Sequence, residues 1–172
     1  MTSNFPGRRS VVVTGAFGAL GMAVASTFRE QGSVVALLDL AEPPASVGAA
    51  FGAPHCVLGG IDLTHTATAG AAMQTVLQAM GSIDVLVNIV GGFRWQTLEQ
   101  GDSDSWDAMF MINLKTAVVT TKAALPQLLK SRGGHIVNVG AGAAARPAGA
   151  GMGAYTASKA ACTSSRRAWR RS

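Results

Sequence analysis

The stretch Ser10-Val11-Val12-Val13-Thr14, running straight into Gly15-Ala16-Phe17-Gly18-Ala19-Leu20-Gly21, constrains this chain more than any other feature. A short, unbroken apolar run predicts a strand covered on both faces, since a half-exposed strand would alternate apolar and polar residues. The glycines then let the backbone turn tightly. The next residues, Ala19–Gln31, read as a helix. Strand, glycine turn and helix in that order point to a parallel sheet with crossover helices.

The rest of the sequence repeats the alternation. Val34–Asp39, Cys56–Ile61, Ile83–Asn88 and His135–Val139 read as further strands, several of them rich in Val and Ile. Between them lie a weak helical stretch around Ala45–Phe51, shortened by Pro43 and Pro44, then Thr66–Met80 and Asp104–Lys130. Gly32, Gly81 and Gly133 fall just past three helices, where C-caps belong. Asp102 or Ser103 is placed to cap the fourth at its start. Alternating βαβ units predict a doubly wound parallel α/β sheet. Residues 1–172 read as one domain, without linker or internal repeat. Ala141–Gly153, rich in Ala and Gly, is the low-complexity stretch.

Charge and composition exclude several classes. Of the formal +5, Arg166, Arg167, Arg170 and Arg171 supply four, leaving +1. The basic character therefore belongs to the tail, and no basic stripe interleaved with aromatics points to nucleic acid. Cys56 and Cys162 form no spacing motif and fit free thiols in a reducing, cytoplasmic setting. His55, His65 and His135 lack metal-ligand spacing, so no metal is expected. Arg8-Arg9 followed by the uncharged run to Phe28 imitates a secretory or twin-arginine signal, with Ala23-Val24-Ala25 as a mock cleavage site. Thr14, Ser26, Thr27 and the three glycines dilute that run, and strand, turn and helix is the better reading.

Two constellations carry chemistry. A glycine turn at a helix N-terminus brings backbone N–H groups close to a pyrophosphate. Asp39, at the end of the second strand, offers a carboxylate that can accept both ribose hydroxyls of an adenosine and would repel a 2′-phosphate. Leu40, Ala16 and Phe17 add no cation, which favours NAD over NADP. The bland alternative is a packing turn with a solvated Asp. Tyr155 and Lys159, four residues apart, share one face of a helix. A free phenol, with a pKa of about 10, is a poor proton donor near neutrality, and a nearby cation favours its phenolate. Such a pair makes a general acid/base.

Taken together and in this order, these motifs resemble the short-chain dehydrogenase/reductase family over roughly residues 8 to 162. The resemblance implies a Rossmann fold and hydride transfer between NAD(H) and a carbonyl or alcohol. It implies that Thr14, Gly15, Phe17, Gly18, Leu20 and Gly21 form the cofactor turn. Compact members usually place the middle glycine one position later, at Ala19 here. Asp62 and Leu63 stand where the family holds the adenine ring, and Asn88 and Gly91, in Asn88-Ile89-Val90-Gly91, match its motif after the fourth strand. Asn113 matches the helix Asn that bends the backbone and anchors a relay water. Tyr155 and Lys159 match the catalytic pair, the Lys also holding the nicotinamide ribose. Each polar residue has a plainer alternative: Asn88 closing a strand end, Asp62 capping a helix, Asn113 as a buried polar group.

Two departures stand out. The family's catalytic Ser lies just after the fifth strand, where this chain reads Gly140-Ala141-Gly142-Ala143. Dihydropteridine reductases, which Gly91-Gly92-Phe93-Arg94-Trp95 also resembles, lack that Ser too. A donor from Ser158, or a backbone N–H near Gly142, is the expected substitute. Secondly, family members continue well beyond the Lys, whereas residues 162–172 read as an atypical basic tail. A shifted reading frame or truncated gene is the expectation, with the sheet incomplete at its C-terminal end. A homodimer or homotetramer is implied, as is a small-molecule carbonyl or alcohol substrate and no membrane partner. The alternative is a dinucleotide-binding remnant without turnover.

Overall fold

In the computed structural model, which describes residues 8–146 and 149–165, the valine-rich runs pair side by side. The strands are β1 (Ser10–Thr14), β2 (Val34–Leu38), β3 (Cys56–Leu58), β4 (Val85–Asn88) and β5 (His135–Asn138). All pair in parallel, in the order β3-β2-β1-β4-β5. This is the doubly wound arrangement, with its switch point between β1 and β4 at the carboxyl ends of the strands.

Period-two alternation divides the core between the two sheet faces. Val12, Ala36, Leu38 and Leu86 point to one side and pack with Ala69, Met73 and Val76 of α3 (Thr66–Met80) and Ala124 and Leu128 of α5 (Thr116–Leu128). Val11, Val13, Val35, Leu37, Val85 and Val87 point to the other, against Ala25 of α1 (Ala19–Glu30) and Val47 of α2 (Ala45–Ala50). The remaining helices are α4 (Ser103–Phe110) and α6 (Gly153–Ser165). No described helix is long and apolar enough to cross a membrane.

Several expected boundaries move, for local reasons. Asp39 lies just past β2, which leaves its carboxylate free of the ladder. β3 stops at Leu58 because Gly59 and Gly60 follow, Gly60 at a φ of 66°. β4 begins at Val85 and β5 ends at Asn138. The helix expected as Asp104–Lys130 is α4, a π-turn over Met111–Lys115 and α5, ending at Leu128. Asp102 caps α4, its Oδ1 accepting from the Ser105 N–H at 2.7 Å. Gly32 and Gly81 take the left-handed conformation past α1 and α3. Gly133 does not cap α5: the helix closes at Leu129, four residues earlier, on its own i–4 bond to Leu125. β5 forms the edge of the described sheet, with Val137 47% exposed. α6 runs on through Ser165, while Arg166, Arg167, Arg170 and Arg171 of the basic tail lie outside the described residues.

Candidate active site

The strand ends and the loops that follow them enclose a cleft of about 950 Å³. One end is built by the glycine turn. Gly15, at a φ of 66°, lies so near β4 that a Cβ there would meet the Val90 nitrogen at 3.0 Å. At Gly21 a Cβ would fall 2.1 Å from the Gly15 carbonyl oxygen, so α1 presses onto the turn without a side chain between. Gly18 is the N-cap of α1, where a Cβ would meet only the Gly15 carbonyl oxygen at an ordinary 3.6 Å. The first turn of α1 thus presents N–H groups without helical acceptors toward the cleft.

Asp39 fixes the neighbouring loop. Its Oδ2 accepts from the Phe17 N–H at 2.9 Å and its Oδ1 from the Ala41 N–H at 3.1 Å. A carboxylate has about four acceptor positions, so capacity remains on the cleft side. Asp62 also lines the cleft, with Leu63. It does not cap α3, whose N-cap is His65. Instead Oδ1 accepts from the Thr64 hydroxyl at 2.7 Å and the Thr64 N–H at 2.9 Å, and His65 Nδ1 lies 3.1 Å from Oδ2. The Thr64 hydroxyl first, then its N–H, hold the carboxyl below its ordinary pKa.

Tyr155 and Lys159 reach the other end of the same cleft. The spacing of four on α6 turns both inward, as the sequence predicts. Lys159 is buried, and its Nζ donates to the Val139 carbonyl at 3.1 Å. Burial pushes its pKa down, and the neighbouring Cys162 acts in the opposite sense. The Tyr155 ring meets Phe93 edge to face, with centroids 5.0 Å apart and planes at 88°. Gly91 passes between the polar groups: a Cβ on it would sit 2.7 Å from Asn113 Oδ1 and 2.8 Å from Lys159 Nζ.

Three residues expected at the site lie behind it. Thr14 is buried, its hydroxyl accepting from the Ile89 N–H at 3.2 Å. Asn88 is the centre of a buried network, donating to Thr121 Oγ1 at 3.2 Å and Asn138 Oδ1 at 2.9 Å, and accepting from Thr120 Oγ1 at 2.7 Å. Its amide side chain is thereby consumed in joining β4, β5 and α5. Asn113, in the π-turn, accepts from the Gly92 N–H at 2.9 Å and donates to the Gly92 carbonyl at 3.0 Å and to Ser158 Oγ at 3.1 Å. It holds the cleft floor rather than lining it.

Ser158 does not supply the missing donor. It is fully buried, and its hydroxyl donates to the Tyr155 carbonyl at 2.8 Å. Gly142 opens a 3₁₀ turn over Gly142–Ala145 and does not border the cleft. Sequence reasoning missed the lining residues Ile112, Thr116, Val139 and Gly140. For the last two a signal existed, since they directly follow a strand at its carboxyl end. Ile112 lies within the π-turn and Thr116 opens α5 directly after it, a local helix geometry that the sequence did not signal.

Comparison with known proteins agrees with the fold. The short chain dehydrogenase family profile matches residues 9–172. The chain is 33% identical over 156 residues to 2-(S)-hydroxypropyl-CoM dehydrogenase 3 of Xanthobacter autotrophicus, covering 88% of this chain and 60% of that one. Among solved structures it is similar to the NADH-dependent reductase A1-R′ of alginate metabolism complexed with NAD, at TM-score 0.82 and 27% identity. That match covers 94% of this chain and 71% of the other. The ligand-free aldohexose dehydrogenase of Thermoplasma acidophilum superposes at TM-score 0.79 with 28% identity, covering 90% and 57%. This chain thus spans about 60% of the length of the curated relative described.

Proposed function

Since the chain belongs to the short-chain dehydrogenase/reductase family, we propose that it transfers hydride between NAD(H) and a small carbonyl or alcohol, with Tyr155 as the proton donor or acceptor. The observation that carries this reading is the single cleft, lined at one end by the glycine turn and Asp39 and at the other by Tyr155 and Lys159. The residues fit a dinucleotide. Gly15 and Gly21 leave bare backbone where a Cβ would collide, α1 supplies free N–H groups, and Asp39 keeps unused acceptor capacity. Gly15, Gly18, Gly21, Asp39 and Lys159 would hold it, with Asp62 and Leu63 beside its adenine. When bound, NAD(H) supplies the hydride donor or acceptor.

The chain's own groups supply the rest. Lys159 stands with the Tyr155 phenol in the lining of the same cleft. The Tyr155 hydroxyl gives a proton to the oxygen of a carbonyl undergoing reduction, or takes one from an alcohol undergoing oxidation. Val139 fixes the Lys159 side chain through its carbonyl, and Phe93 limits the swing of the Tyr155 ring. Asn113 keeps Gly92, and with it the strand-end loop, at a constant distance from α6.

One observation favours a second reading, a dinucleotide-binding chain without turnover. No hydroxyl stands at Ala141-Gly142-Ala143, and Ser158 is turned away from the cleft. The experiment is a fluorescence titration with NADH, followed by assay of a carbonyl panel with Tyr155→Phe as control. Saturable binding with turnover that vanishes in Tyr155→Phe supports the dehydrogenase. Binding with no Tyr155-dependent turnover supports the second reading, and absence of NADH binding refutes both.

A further inference from the structure

We propose that Phe93 determines substrate specificity in this cleft, and that the substrate it selects carries a flat aromatic ring directly attached to its carbonyl or carbinol carbon. The inference deepens the dehydrogenase reading above and rests on it. Phe93 and Tyr155 meet edge to face at 5.0 Å, so the Phe93 ring borders the space that a substrate oxygen must enter to exchange a proton with the Tyr155 hydroxyl. The ring is nevertheless 56% exposed while lining the cleft. Bare apolar surface beside a reacting group gains free energy from whatever covers it.

The segment that carries Phe93 is braced on both sides. Trp95 lies against Gly151, where a Cβ would fall 2.3 Å from the indole Nε1 and where a φ of 82° excludes most side chains. The Gln96 N–H donates to the Gly151 carbonyl at 2.8 Å. Arg94 Nη1 donates to Ser105 Oγ at 3.2 Å. Phe93 is therefore held in place before any ligand arrives, which lowers the ordering cost of binding.

Charge narrows the substrate class. The ionisable residues lining the cleft are Asp39, Asp62, Tyr155 and Lys159 among those described. The two carboxylates stand near the glycine turn, and the Lys159 ammonium is engaged by Val139. Arg94 is directed to Ser105, toward a separate small pocket with Trp106. Among the described residues, Lys159 is thus the one cation lining the cleft, with its Nζ held at the Val139 carbonyl. Gly92, Val139 and Gly140 add no further charge to the lining. Aromatic rings gain more from an adjacent ring than their buried area alone provides, so a phenyl group is preferred there over an alkyl chain of the same carbon count.

The test uses the full 172-residue chain, with and without NADH, and two alcohols of equal carbon number, 1-phenylethanol and 2-octanol. Ligand-observed NMR titrations give their affinities for the wild type, Phe93→Ala and Phe93→Leu. The phenyl alcohol is expected to bind about tenfold more tightly to the wild type. Both variants should lose that preference, with thermal unfolding and NADH affinity unchanged. Equal binding to the wild type, or a preference that survives in Phe93→Leu, overturns the proposal. Turnover of acetophenone against 2-octanone separates this inference from the reaction itself. A rise in KM clearly larger for acetophenone than for 2-octanone in Phe93→Ala supports Phe93 as the determinant. A phenyl preference in binding without Tyr155-dependent turnover overturns the reaction and leaves the aromatic site standing.

Discussion

Asn113 Nδ2 and Ser158 Oγ meet at 3.1 Å inside the protein, and Ser158 passes the connection on to the Tyr155 carbonyl at 2.8 Å. The loop after β4, the π-turn and α6 are joined through these two side chains, without a charge. Asn113 thus acts as a spacer, keeping Gly92 at a set distance from the helix that carries Tyr155 and Lys159.

Removing Asn113 should therefore cost more than removing Ser158. Asn113→Ala strands the Gly92 N–H and carbonyl together, whereas Ser158→Ala strands the Asn113 donor and one carbonyl lone pair. Each buried group left unpaired costs about 1–3 kcal/mol. Urea unfolding should show Asn113→Ala as the more damaging change by about 1 kcal/mol, and the double variant as less damaging than the two losses added together. Full additivity would mean that the two side chains act independently.

The glycine turn makes a sharper contrast. A Cβ at Gly21 would strike the backbone of Gly15 and Ala16 at 2.1 Å and 2.7 Å, and neither atom can swing away. At Gly18 the nearest atom is 3.6 Å off, and φ is −73°. Gly21→Ala should destabilise the chain by about 1–3 kcal/mol and abolish NADH binding. Gly18→Ala should stay within about 0.5 kcal/mol of the wild type. Thermal unfolding and NADH titration of both variants decide it, and similar losses in the two would refute the packing argument.

The fold was legible because its cues are local. Val11, Val12 and Val13 need cover on both faces, and Gly15 and Gly21 need bare backbone, whatever the rest of the chain does. The same holds for the spacing that turns Tyr155 and Lys159 to one side of α6. The roles of Asn88, Asn113 and Ser158 were not legible, because each depends on partners between about twenty and fifty positions away in sequence whose positions only tertiary packing sets. Ser158 shows the difference. On the helical wheel it is a neighbour of Tyr155, yet the π-turn at Asn113 offers it a buried partner and draws its hydroxyl away from the cleft.

Asp39 separates charge from shape. Its Oδ2 accepts from the Phe17 N–H and its Oδ1 from the Ala41 N–H; an Asn side chain keeps one oxygen for the first bond, loses the second and carries no charge. Asp39→Asn should unfold only slightly below the wild-type temperature, because the lost bond to Ala41 is exposed. The wild type should bind NADH at least about tenfold more tightly than NADPH, each tenfold being about 1.4 kcal/mol, and Asp39→Asn should narrow that ratio. Parallel titrations with both nucleotides measure it. An unchanged ratio would place nucleotide selection elsewhere.

His55 gives the chain a pH dependence remote from the cleft. Its Nδ1 accepts from the Val35 N–H at 3.1 Å, continuing the β2–β3 pairing through a side chain. That bond requires an unprotonated Nδ1. Burial first, then the positive charges of Arg29 and Arg8, push its pKa below the ordinary 6.5. The unfolded chain therefore binds a proton that the folded chain resists, and stability rises with pH in the interval between the two values. The contribution is fully present above about pH 6.5 and is lost as pH falls toward the folded value. Urea unfolding at a series of pH values from neutral to mildly acidic should show this slope in the wild type. It should be shallower in His55→Asn, whose Oδ1 can accept from the same N–H without titrating. Equal slopes in the two proteins would assign the acid sensitivity to other groups.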